Sequence, residues 1–590
     1  MTLTDELSMR VGAAFAAEGM DPAFGAVRAS DRPDLAQFQC NGALAAAKAA
    51  KANPREIGAR VAGRLAGDAT FAETSLAGPG FINLTLDDAD LARRLAAAFA
   101  NGEVGGWRAP RAERIVLDYG GPNVAKPLHV GHLRSAIIGE ALKRVLRAVG
   151  HDVTSDVHLG DWGLQMGQLI SEVALRHPDA AYFADIDGPF PDEPALALAD
   201  LEEMYPAASA ACKADPARAE LARKATKALQ EGRPGYRALW RRMVDLSIAA
   251  MKTDYADLGV SFDLWKGEAD ADALLPEIAR DLDARGVIER SDGADIIRVA
   301  RDDDDKTVPP VIFRNSEGAV GYHATDVATI VDRVRGLDPD RMLYVVDGRQ
   351  RLHFEQVFRA GDRAGYFDEA KLEHLWFGTM NGPDGKPFKP RAGGVLKLRE
   401  LIETAEAKAR ERLAESGFAA SLPAAERDDV ARKVAVAALK FADLSNPRTS
   451  DYVFDLDRFM AFEGKTGPYL LYASVRIRSV LEKAGADLSV DVLSSDVAAA
   501  IDGREARDLA LALVSYADAA RAAVDRRAPH LLCDHAFALA QAFSKFYAAR
   551  RIADEADGAV RRGRIALAAA AGRQLDAVLD LLGVAPPARM

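Results

Sequence analysis

The chain has 590 residues, of which 49% are hydrophobic and 28% charged, with a formal net charge of −12. That length predicts three or four domains with separate cores, and the composition excludes a disordered or collagen-like chain. The acidic balance excludes a general polyanion binder, so a nucleic-acid partner would have to meet local basic faces.

In chain order, residues Met1 to Gly19 are amphipathic and carry Asp5, Glu6 and Glu18. They predict a helix near Leu3 to Glu18 rather than a signal peptide. No apolar run approaches the roughly 18 residues a membrane span needs, so the expectation is a soluble, cytoplasmic protein with no membrane partner. Cys40, Cys212 and Cys533 are far apart and odd in number, which predicts neither a disulfide framework nor a zinc site. Residues 1–110 read as a small α/β unit with a strand at Gly80 to Leu86 and a linker at Asn101 to Gly106. Within it, Phe38-Gln39-Cys40-Asn41 precedes a helix. Phe38 could stack on a base and Gln39 or Asn41 could read its edge, while a buried Phe and a helix N-cap explain the same residues.

Arg114 to Leu117 predicts a buried strand. Leu133, Ile137, Ala141 and Val145 then recur at helical spacing, with Glu140, Lys143, Arg144 and Arg147 opposite them, which predicts an amphipathic helix. The turn between them, Asp118 to His132, holds glycines, prolines, Lys126, His129 and His132, as phosphate-holding turns of doubly wound folds do. Gly131 keeps side chains out from between the two histidines, and each can present an N–H to oxygen that gains charge. The His-x-x-His spacing also suits zinc, but no cysteine cluster or third histidine stands near to complete a metal site.

A second parallel strand is expected near Val153 to Val157, ending in His158-Leu159-Gly160-Asp161-Trp162-Gly163. Residues 174–281 read as a largely helical insertion. Arg301 to Lys306 is a charge run expected at a solvated hairpin turn. Strands are expected at 294–299, 311–314, 320–322, 342–347 and 375–378, with a helix opened by Tyr322 to Asp326. Gln350 and His353 stand just past a strand end. The loop Thr379 to Gly394 carries Lys386, Lys389 and Arg391 but lacks the hydroxyl of a Walker loop. From about Asp428 the pattern is helical, and Arg476, Arg478 and Lys483 form a basic run suited to phosphates.

His-Val-Gly-His resembles the signature of class I aminoacyl-tRNA synthetases, and Pro122 to Ser135 resembles its arginyl-tRNA synthetase version. The likeness runs from the Phe38 module, through His158 to Gly163 and Asn446 to Tyr452, to Gly464 to Ala473 and the ending Ala585 to Met590. Phe388-Lys389-Pro390-Arg391 departs from the usual Lys-Met-Ser-Lys, a degenerate form in which Lys126 is thought to supply the missing cation. The implied fold is α/β: a Rossmann-like class I catalytic domain over 111–427, a small N-terminal α/β domain over 1–110 contacting the tRNA D-loop, and a C-terminal all-α anticodon-binding helical bundle over 428–590.

The resemblance implies an arginine–tRNA ligase that forms arginyl-adenylate from L-arginine and ATP and passes arginine to tRNA(Arg), as a monomer. His129, His132, Lys126 and Lys389 would stabilise the reacting phosphate. Gly131, Lys386 and Arg391 would join them around ATP, with Mg2+ carried on ATP and no protein metal site. Arginine's planar, permanently charged guanidinium calls for acceptors in fixed directions, and by motif position the candidates are Asp118, Asn123, Tyr322, Asp326 and Gln350. Phe38, Gln39, Asn41, Arg448, Tyr469 and Arg476 would contact tRNA. Two other readings are another class I synthetase, told apart by pyrophosphate exchange over a panel of amino acids, and a non-catalytic tRNA-binding paralogue.

Overall fold

A computed structural model describes residues 1–590 apart from 192, 317, 319, 383, 387–395 and 419. The chain divides into two compact units: 1–109 with 412–445 and 459–590, and 110–411 with 446–458.

In the first unit, helix Leu3–Ala17 packs with a four-stranded antiparallel sheet made of β1 (Val27–Ala29), β2 (Phe38–Cys40), β3 (Phe71–Ala77) and β4 (Phe81–Leu86), in the order β1-β2-β4-β3. Three of these strands are short or carry mixed side chains, and only β4 shows as a strand from its residue pattern. Helices Gly467–Lys483, Arg504–Val514, Tyr516–Asp525, His530–Ala549 and Gly558–Leu581 form an alanine-rich bundle. The sheet domain docks on it through Asp88 with Arg507, Asp5 with Arg521, and Gln574, whose amide donates to the Val104 carbonyl at 2.8 Å.

The second unit is built on a parallel sheet of β5 (Arg114–Tyr119), β6 (Asp152–Asp156), β10 (Arg341–Val345) and β11 (Leu372–His374), in the order β11-β10-β5-β6. From β5 the chain passes to β6 on one side and later returns to β10 on the other. The ends of β5 and β10 therefore flank the crevice where such sheets bind ligands. Five of the six residues of β5 are buried, as expected of a strand covered on both faces. A smaller antiparallel sheet of β7 (Glu289–Ser291), β8 (Ala294–Ile297) and β9 (Val311–Arg314) shares a core with helices Tyr322–Leu337 and Arg351–Arg363.

Several expectations are corrected. The last strand of the parallel sheet is Leu372–His374, three residues before the expected 375–378, and only Phe377 of the latter makes a bridge, to Asp347. The expected strand at 320–322 is reduced to a bridge between Val320 and Arg314, while Tyr322 opens a helix as expected, with Gly321 as its N-cap. The face of helix Val130–Ala148 expected to meet water is partly buried: Glu140 and Lys143 pair at 2.8 Å, and Ser261 meets both, its N donating to Glu140 at 3.0 Å. In the 301–306 charge run most residues are exposed, but Asp304 is held by Arg359 at 2.7 Å. Among the described residues, no helix is long and apolar enough to cross a membrane, and no three His, Cys, Asp or Glu side chains group as metal ligands.

Candidate active site

The turn after β5 is shaped by left-handed residues at Gly120, Gly121 and Ala125. Ser135, in the first turns of helix Val130–Ala148, ties the ends of the two central strands, β5 and β10, together. Its Oγ accepts from Gly120 N at 2.8 Å and donates to the Val345 carbonyl at 2.7 Å. The helix that carries the histidines is thereby anchored at the crevice between β5 and β10.

His129 is the N-cap of that helix. Its Nδ1 accepts from Gly131 N at 3.0 Å, and Nδ1 of His132 accepts from His129 N at 3.1 Å. With both Nδ1 atoms accepting, each neutral ring carries its proton on Nε2. The rings lie 4.0 Å apart, and a Cβ on Gly131 would come within 2.6 Å of the His129 ring, so the intervening residue must be glycine. Burial, and then the Lys126 charge, hold His129 below its usual pKa; burial and His129 take His132 down to about 3. Both are therefore neutral hydrogen-bond donors at pH 7.

A cavity of about 240 Å³ opens at the strand ends, and Asp118, Asn123, Tyr322, Asp326 and Gln350 all line it. Asp118 comes from the end of β5, Asn123 from the turn, Tyr322 and Asp326 from one helix face, and Gln350 from the cap of the next helix. Gly160 bridges to Asn123, and a Cβ there would sit 2.4 Å from the Asn123 Oδ1.

Side chains other than the five candidate acceptors, Arg333, His158 and His353, dominate the electrostatics. Arg333 is 2% exposed, and its Nη2 donates to Asp118 at 2.6 Å and to Asp156 at 2.9 Å. One guanidinium thus bridges two strand-end carboxylates. Burial pushes Asp118 upward against the pull of Arg333; it acts the same way on Asp156, yet there Arg333 prevails and the carboxyl is lowered. Asp326 sits between His353 Nε2 at 2.6 Å and His158 Nε2 at 3.6 Å. Burial works against charge on Asp326, but the two histidines outweigh it and hold the carboxyl far below its usual range. Burial likewise opposes charge on His158, while Asp326 and Asp118 raise its pKa to about 9. Glu268 also lines the cavity, and burial raises its carboxyl. Arg333 lies on the helix that Tyr322 opens and Glu268 in a short helix away from any motif, and an ionisable residue in a helix reads as solvated surface unless its partners are known.

The cation candidates divide. Lys389 and Arg391 lie outside the described residues. Lys386 is exposed, and its carbonyl accepts from Gly382 N at 2.7 Å. Lys126 stands 4.5 Å over the Tyr205 ring.

Of the tRNA candidates, Phe38 is corrected: it is 3% exposed and packed in the sheet core, so it offers no face to a base. Phe24, Gln39 and Asn41 instead line a shallow cavity on that unit, and the Asn41 Oδ1 is buried without a partner. Arg448 donates to the Trp376 carbonyl at 2.6 Å, which commits part of its guanidinium inside the catalytic unit. Tyr469 and Arg476, seven residues apart on one helix, meet Phe537 and Tyr547 respectively.

Comparison with known proteins places this geometry in a family. Residues 94–456 match the catalytic domain of class I tRNA synthetases (R), 470–590 the DALR anticodon binding domain, and 2–86 the arginyl tRNA synthetase N-terminal domain. The chain is 53% identical to an arginine–tRNA ligase of Hyphomonas neptunium and 50% identical to that of Maricaulis maris, in each case over 100% of both chains. Its fold is that of the arginyl-tRNA synthetases of Plasmodium falciparum (TM-score 0.84, 21% identity) and Thermus thermophilus (TM-score 0.78, 23% identity), each covered over 100% of both chains. With the paired-histidine turn and the acidic cavity at one sheet edge, these matches establish that the chain belongs to the arginyl-tRNA synthetases, class I enzymes that join arginine to tRNA.

Proposed function

We propose that the acidic cavity holds the guanidinium of L-arginine and that the histidine turn holds ATP. The carrying observation is that Asp118, Asn123, Tyr322, Asp326 and Gln350 converge on one cavity at the β5–β10 crevice. Asp326 is the principal guanidinium acceptor, since it stays ionised between two histidines, and Glu268 is a further carboxylate on the same wall. A neutral amino acid would leave the cavity's acceptors without the donors that a guanidinium brings, which is the basis of strong rejection.

An oxygen of the arginine carboxylate attacks the α-phosphorus of ATP, forming arginyl-adenylate and releasing pyrophosphate. The 2′-hydroxyl of the terminal adenosine of tRNA(Arg) then attacks the arginyl carbonyl carbon, and AMP leaves. The Nε2–H groups of His129 and His132, with Lys126, Lys386, Lys389 and Arg391, offset the phosphate charge, so positioning and electrostatics carry the rate. Magnesium enters on the ATP phosphates. On the tRNA side, Gln39 and the unpartnered Asn41 Oδ1 suit a base edge, and Tyr469 and Arg476 suit the anticodon stem. The enzyme acts as a monomer in the cytoplasm.

The test is a charging assay with arginine and tRNA(Arg), run beside His132→Ala. The parent should form the arginyl ester, and His132→Ala should lower kcat by roughly 10²- to 10³-fold with little change in KM for arginine. Pyrophosphate exchange with cysteine or glutamate but not arginine would sink the reading.

A further inference from the structure

The helical insertion contributes a group of polar contacts that land on two short segments. Ser247, 1% exposed on helix Pro234–Asp257, accepts from Ala125 N at 2.9 Å, at a non-glycine residue with φ +61°. One residue on, Lys126 lies over Tyr205 of helix Leu198–Ala214. Three residues before Tyr205, and so on the same helix face, Glu202 pairs with Lys397 at 2.6 Å. Asp254 and Asp257 hold Arg399 at 2.6 and 2.5 Å. The 396–398 segment in turn pairs with the histidine turn: Val130 N donates to the Leu396 carbonyl at 3.1 Å and Leu398 N to the Leu128 carbonyl at 2.8 Å. Lys126, Glu202, Ser247, Asp254, Lys397 and Arg399 together wall one cavity.

We infer that the insertion is a positioning clamp for the nucleotide edge: it holds Ala125-Lys126 and Lys397 to Arg399 on either side of His129, and so sets how Lys126 and the histidines meet ATP. Stability does not account for the charged contacts among these. The Lys397 and Arg399 side chains are 42% and 38% exposed, and pairs so open to water contribute little to folding. Their common feature is where they attach. The left-handed Ala125 is a conformation that a side chain resists and that must be over-determined by its surroundings, and Ser247 supplies one of the constraints. The inference deepens the reading of Lys126 as a phosphate partner and rests on it only for that residue.

The experiment uses the full chain, with KM for ATP and for arginine measured in arginylation and the fold checked by thermal unfolding. Glu202→Lys and Lys397→Glu should each raise KM for ATP roughly three- to tenfold, and KM for arginine should stay within about twofold. The double swap should restore most of the loss. Tyr205→Leu should raise KM for ATP, and Tyr205→Phe, which keeps the ring, should not. Glu202→Gln and Ser247→Ala serve as isosteric or small changes should the reversals fail to fold. Unchanged KM for ATP, parallel rises for both substrates, or a double swap no better than its parts would overturn the clamp. Lys126→Ala separates the two ideas: if it leaves KM for ATP unchanged while Glu202→Lys raises it, Lys126 is not a phosphate partner and the clamp on the histidine segment stands.

Discussion

Replacing Arg333 by Met isolates the buried charge triad at the strand-end cavity. The side chain of Arg333 is 2% exposed and those of Asp118 and Asp156 are 9% and 1% exposed, and a single nitrogen serves both acids at 2.6 and 2.9 Å. Methionine keeps much of the volume and removes the cation, leaving two carboxylates with no counter-charge from that helix. Breaking a buried pair in this way costs about 3–5 kcal/mol. The stranded acids also take up protons more readily in the folded state: Asp118, already raised by burial, rises further and Asp156 loses the pull that lowers it. The sign follows: the deficit is small where both states are protonated and grows as pH rises. Urea unfolding followed by tryptophan fluorescence suits the measurement, because Trp162, Trp240, Trp265 and Trp376 all lie in the catalytic unit. The expected result is a deficit of about 3–5 kcal/mol at pH 8 that shrinks toward pH 5, with Asp118→Asn and Asp156→Asn added to the variant recovering most of it. A loss under about 1 kcal/mol, or one equal at both pH values, would refute the reasoning.

His158 has a folded pKa raised to about 9, so the stability it supplies is full below its unfolded value near 6.5 and is lost as pH rises through 9. That shift is on the order of 3 kcal/mol, and the parent should lose more stability than His158→Gln between pH 6.5 and 9.5. Gly139→Ala would drive a Cβ to 2.2 Å from the Tyr119 ring. It should cost about 1–3 kcal/mol or more in thermal unfolding, whereas Gly163→Ala, with nothing within 4 Å, should leave the melting temperature nearly unchanged. Asn41→Ala should raise KM for tRNA several-fold and leave pyrophosphate exchange at saturating tRNA unaltered, and equal losses in both would place Asn41 in folding.

The elements with strong local patterns were legible in the sequence: β5, the helix after His129, the second parallel strand and the helical C-terminal third. Five acceptors named from motif position share one cavity because motifs at strand ends report on topology as well as on chemistry. What stayed hidden depends on partners distant in sequence. Arg333 reads as helix surface until Asp118 and Asp156, more than 170 residues upstream, are brought to it. Glu140 and Lys143 read as a solvated face because nothing local shows that Ser261, more than a hundred residues on, meets both. Phe38 reads equally as a stacking platform or a core residue, and its pairing between β1 and β4 decides for the core. The sequence pattern points past β11 because Leu375 to Phe377 is more apolar than the strand itself.

The measurement that bears most directly on the central claim, a cavity built for a forked cation beside a neutral histidine pair, is arginylation by Asp326→Asn with both substrates titrated. The variant keeps the shape and hydrogen-bonding reach of the side chain and removes its charge between His158 and His353. The expected result is a rise in KM for arginine of about 100-fold or more, with KM for ATP within about twofold. An arginine KM that stays near the parent value, or that rises only in step with KM for ATP, would contradict the account.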